Sequence, residues 1–160
     1  MPRPSLAADG NDGRGMFYYA ASAQRQEEFY SPNMFLCPSA RPDILASLRP
    51  QFSIAMNSKL GNKIQPFVKL SCTARPDRTA LFLDAGVLGE TPLPGQAFDG
   101  RPHVFAKGFS GRHAGRGNIS FFDGHVEPLP IGKVVTDPGP AFFPQDLVQW
   151  TCDPETDPNQ

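Results

Sequence analysis

Two of the three histidines fall in one stretch, FSGRHAGRGNISFFDGHVEPL (residues 109–129), together with an aspartate. Imidazole and carboxylate together suit a borderline divalent ion, and carboxylates with loop carbonyls suit calcium. His113, Asp123 and His125, joined by Asp84 from an upstream apolar run, are therefore the candidate metal ligands. The competing reading is structural and is the one we favour. In it Asp123 shapes a turn, and His113 hydrogen-bonds backbone or a carboxylate to pin its loop onto a sheet. That reading requires no cofactor. Arg112 and Arg116 stand among glycines, a setting that can hold an anion on backbone amides. A solvated loop is the simpler expectation for them.

Other reaction chemistries lack their motifs. No serine stands in a GxSxG elbow and no HExxH is present. GxGxxG and GxxxxGK[ST] are missing too, so nucleotide binding has no support. Cys37 precedes Pro38 in a short apolar run, which reads as a packed thiol rather than a nucleophile. The formal charge is −1 with no basic block, which argues against nucleic acid as a partner. Cys37, Cys72 and Cys152 are an odd set with no CxxC pair, so a zinc ribbon is not expected. Two of them could pair in an exported protein, and buried thiols are the alternative. No apolar run is long enough to span a bilayer, and residues 1–15 lack the apolar centre of a signal peptide.

The elements that would position these residues are short. Eighteen prolines and fifteen glycines in 160 residues imply many turns. The Asn118–Phe122 run, then Asp123-Gly124, then His125–Glu127 predicts a hairpin with a two-residue type I′ turn. That register sets Phe122 opposite His125, Phe121 opposite Val126 and Ser120 opposite Glu127. Ile119, Phe121 and Val126 then share the apolar face. Phe52–Met56 alternates with strand period, and Thr79–Leu83 is the most apolar strand, with Asp84 at its end. Phe67–Leu70 is a brief extended piece. Short helices are expected over Ala21–Phe29 and Pro42–Leu48, and a short helix or final strand over Gln145–Thr151. Gly86–Gly111 reads as one long loop, and Pro128–Pro144 as a Pro/Gly-rich segment that closes the sheet.

His113, nine intervening residues and Asp123-Gly124 make an H-x9-DG pattern. With FLCPSA (35–40), SIAMNSKLG (53–61) and RPDRTALFLDAG (75–86) in the same order, residues 35–130 resemble the prepilin-type processing-associated H-X9-DG domain family. The family-like positions are Cys37, Pro38, Met56, Asn57 and Asp84, with His113, Asp123 and Gly124 as the motif itself. The resemblance implies a pseudopilin-like protein of type II secretion or type IV pilus-like systems, placed in the cell envelope, periplasm or cell surface. Its partners would be other pilin-like subunits or secretion-system proteins.

The combined expectation is an α+β fold. A small, mostly antiparallel β-sheet carries short helices and long Pro/Gly-rich loops, as in a pilin-like globular head without the N-terminal hydrophobic helix. Residues 1–15 are expected as a flexible leader, 16–152 as a single domain and 153–160 as a flexible tail. The expected function is non-catalytic: a structural or accessory subunit. The alternatives are a soluble calcium-dependent extracellular binding module and a metal-dependent hydrolase using His113, Asp123 and His125.

Overall fold

The computed structural model describes residues 35–43, 51–60, 71, 73–135, 143–144 and 146–159. The expected leader, the Ala21–Phe29 helix, the Phe67–Leu70 strand and most of the Pro42–Leu48 helix lie outside these residues, as does Cys72.

Five strands form one sheet: β1 (Ile54–Asn57), β2 (Ala80–Asp84), β3 (His103–Val104), β4 (Arg116–Phe121) and β5 (Val126–Pro130). Their spatial order is β3-β1-β2-β4-β5. All neighbours are antiparallel except β1 and β3. A 3-10 turn (Ala106–Gly108) follows β3, and one turn of helix, α1 (Ile131–Val134), follows β5. The fold is thus a small α+β arrangement around a mixed sheet. β1, β2 and β4 fall where alternation and apolarity put them. β3 lies inside what reads as one long loop. It has only two residues, too few for any period to show.

One face of the sheet carries Ala55, Leu83, Ile119, Phe121 and Leu129. Phe109, Val134, Phe143, Val148 and Trp150 join them to complete the core. Trp150 is fully buried and donates from its indole nitrogen to Pro144 O at 2.9 Å. Asn57, also fully buried, donates to Ala80 O (3.0 Å) and Trp150 O (2.8 Å), which joins β1 to β2 and to the C-terminal segment. That segment also meets the sheet through a parallel bridge between Thr79 and Gln149, and the described part of Gln145–Thr151 contains no helix. Pro158 is buried, and the Asn159 side chain pairs with both backbone groups of Phe143 (3.0 and 3.3 Å).

The hairpin forms, but one register step away from expectation. Ser120 faces Val126 and Ile119 faces Glu127. Phe121 N donates to His125 O and Gly124 N to Phe121 O, each at 3.0 Å, which closes a three-residue loop, Phe122-Asp123-Gly124. A type I′ turn would need positive φ at Asp123 as well as Gly124. That costs a residue with a side chain about 1–2 kcal/mol. In the observed loop only Gly124 is at positive φ, +93°. A one-residue slip turns each side chain of the second strand to the other face. Val126, expected in the core, is therefore 60% exposed, and His125 stacks on Phe121 with ring centroids 4.4 Å apart.

Candidate functional site

The functional candidates gather where the end of β2 meets the loop before β4. Asp84 closes β2, and Ser110 N donates to its carbonyl at 2.9 Å. This contact draws the Gly-rich loop 110–115 across the strand end. Gly117 is needed for that approach, because a Cβ there would sit 2.2 Å from Ser110 O and 2.7 Å from the Phe109 ring.

Arg112 points inward from this loop, with a side chain only 6% exposed. Its guanidinium grips Glu90 with two parallel bonds, Nε to Oε1 and Nη2 to Oε2, each 2.9 Å. It also donates to Ser53 O (3.3 Å) and to Ala85 O, and its Nη1 stands 3.7 Å from Asp84 Oδ1. The fork geometry of guanidinium fits a carboxylate in this way, and an ammonium does not. Arg112 is therefore neither solvated nor open to an anion, as the glycine setting had suggested. The Arg116 side chain is exposed and reaches Pro128 O at 3.5 Å.

Asp84 is 5% exposed, and its Oδ2 accepts from Asn118 N (2.7 Å) and Asn118 Nδ2 (3.1 Å). His113 Nε2 lies 3.6 Å from the same oxygen. That separation suits an ion pair when the ring is protonated, and it is too long for a normal N–H···O bond. Cys37 Sγ approaches the same ring nitrogen, also at 3.6 Å. The thiol is carried by a strap, residues 35–43, that lies along the start of β1. Ser53 N and Ile54 N both donate to Phe35 O, and Cys37 N donates to Ser53 Oγ.

His113 and Asp84 therefore meet, as the sequence suggests, but Asp123 and His125 form a second pair. That pair lies beyond the far end of β4, which is about 17 Å long at the usual strand rise. Asp123 Oδ1 accepts from His125 N (3.1 Å) and contacts His125 Nδ1 (2.6 Å). These bonds, the backbone one foremost, hold the Asp123 carboxyl below its ordinary value. The four residues proposed as one metal site are thus split into two pairs. Among the described residues no group of three or more His, Cys, Asp or Glu is arranged to hold a metal ion. The separation also removes the His113, Asp123, His125 set from joint hydrolytic chemistry. Nor do Cys37, His113 and Asp84 reproduce a nucleophile–base–acid relay. There the acid and the nucleophile occupy opposite ring nitrogens, whereas here both meet Nε2.

No family model, curated protein or solved structure matches the chain.

Sequence reasoning missed Glu90 and the role of Cys37. Glu90 is 22 positions from Arg112, and Cys37 is 76 from His113. No local period or short motif links positions so far apart. Among the described residues, no helix is long and apolar enough to cross a membrane.

Proposed function

We propose that this chain is a non-catalytic structural or accessory subunit, the pilin-like globular head that its H-x9-DG pattern resembles. One observation carries the reading: the four segments behind the resemblance come together as a single scaffold. The Cys37 strap is bonded to Ser53, Asn57 ties β1 to β2, and Asp84 caps Asn118. His113 locks its loop through paired backbone bonds with Arg116 (3.0 and 3.1 Å). Asp123 fixes the hairpin loop through His125. These contacts tie the strap, the sheet and the hairpin together, which supports an architectural role for the pattern, with the subunit's work being contact with other proteins.

The test is fractionation of the source cells with N-terminal mass spectrometry and cross-linking of the native protein. Recovery in the membrane fraction, with a processed hydrophobic segment upstream and cross-links to pilin-like subunits, is the expected result. A freely soluble product that begins at Met1 and cross-links to none of them would refute filament membership.

A further inference from the structure

We infer that Cys37 and His113 form a thiol–base pair that makes Cys37 a site of covalent modification by small disulfides. The inference is independent of any role in a filament. Three features of the cluster support it. Sγ lies 3.6 Å from His113 Nε2, within hydrogen-bond range for sulfur, so the ring can take the thiol proton directly. The nitrogen that receives this proton faces the buried Asp84 carboxylate at 3.6 Å, so the imidazolium is met by a negative charge as it forms. That carboxylate is fixed by both nitrogens of Asn118 and cannot readily turn away. Finally, the pair is reachable. Cys37 is half-buried, Pro38 and Ser39 beside it are exposed, and the His113 side chain is 38% exposed.

The step balances as a thiol–disulfide exchange. The Sγ proton passes to Nε2, and the thiolate attacks one sulfur of the disulfide R–S–S–R. A bond from Sγ to that sulfur forms as the original S–S bond breaks. The departing RS⁻ takes the electron pair, then a proton from Nε2 or from water. The Cys37 sulfur ends oxidised in a mixed disulfide, and one reagent sulfur ends reduced as a thiol. No further oxidant is needed.

The full chain treated with 2,2′-dithiodipyridine near pH 6.5 tests this, with peptide mapping to follow Cys37. The reference is the isolated peptide FLCPSA, which has the same local sequence and no histidine. Cys37 in the folded chain should react about tenfold faster than in the peptide, the low end of what a positioned base supplies. His113→Gln should remove about tenfold of that rate with the Trp150 fluorescence unchanged. A folded-chain rate at or below the peptide's refutes the pair without reliance on any variant. So does a correctly folded His113→Gln that reacts as fast as the native chain. Failure of the fractionation experiment leaves this result untouched, and the reverse also holds.

Discussion

Loss of the Arg112 guanidinium should be the most damaging single change to a charged side chain in the described structure. Arg112 joins Glu90 from the β2–β3 connection, Asp84 at the end of β2, and the carbonyls of Ser53 and Ala85. Arg112→Ala leaves two carboxylates facing a site that solvent scarcely reaches, with Asp84 only 5% exposed. Removing one partner of a buried ion pair costs about 3–5 kcal/mol. Ser53 O retains its bond from Ala85 N (2.8 Å), so the backbone loss falls mainly on Ala85 O. Arg112→Lys keeps the charge but cannot make the two-pronged grip and reach both carbonyls as well. A cost of about 1–3 kcal/mol follows for the groups left without a donor. Against a typical total of about 5–15 kcal/mol, the alanine variant loses a large share of its stability. Urea melts followed by the single, buried tryptophan, Trp150, give both values. In a double-mutant cycle, Arg112→Ala with Glu90→Ala should show a coupling of about 2 kcal/mol. An alanine cost below about 1 kcal/mol, or a lysine variant equal to the native chain, would refute the buried-hub reasoning.

Two further outcomes follow from the loop geometry. Gly124→Ala meets open space but positive φ, and should cost about 1–2 kcal/mol. Gly117→Ala collides with Ser110 O and Phe109 and should cost about 3 kcal/mol, so equal costs in urea melts would contradict the close approach. The Asp123 carboxyl titrates below its ordinary 3.8 because His125 N–H groups donate to it. The folded chain thus binds fewer protons there than the unfolded one. Its contribution is present above about pH 3.8 and is lost as pH falls through the folded value. NMR titration should place the Asp123 carboxyl below 3.8, and Asp123→Asn should abolish that part of the acid limb. A carboxyl titrating at or above 3.8 would overturn the assignment.

The legible parts of the fold are those with local signals. Ile54–Asn57 and Ala80–Asp84 are strands because alternation or continuous apolarity marks them within a few residues. The Asp-Gly pair marks a hairpin but not its register, since the same dipeptide serves a two-residue and a three-residue loop. Contacts outside the hairpin reinforce the observed register. Phe122 N donates to Thr79 O and Asp123 N to Pro76 O, so the neighbouring turn holds the loop tip. Of the site, His113 and Asp84 are singled out by the sequence, but only as members of a four-residue set that the structure divides into two pairs. The burial of Arg112 is not legible, because its glycine-rich loop gives no hydrophobic cue and Glu90 lies on another loop.

The same blindness extends to the connections of the sheet. The segment from Gly86 to Gly111 has the composition of a free loop, yet it is pinned at successive points. Gln51 donates from Nε2 to Asp43 O and accepts from Leu88 N through Oε1, which clasps the strap to the turn after β2. Gln96 Nε2 donates to Phe109 O at 2.6 Å, and Gly86 N to Gly108 O at 2.9 Å. Met56 N donates to Pro102 O, which seats β3 against β1. A chain so rich in proline and glycine has few long elements through which apolar packing can fix its connections. Here buried and half-buried polar side chains that bridge one segment to another take over that task. Such networks stabilise only when every member is satisfied, because a buried polar group without its partner is costly at low dielectric. On this account the buried, uncharged Gln51 and Asn57 should tolerate substitution as poorly as the apolar core does, and the half-buried Gln96 somewhat better.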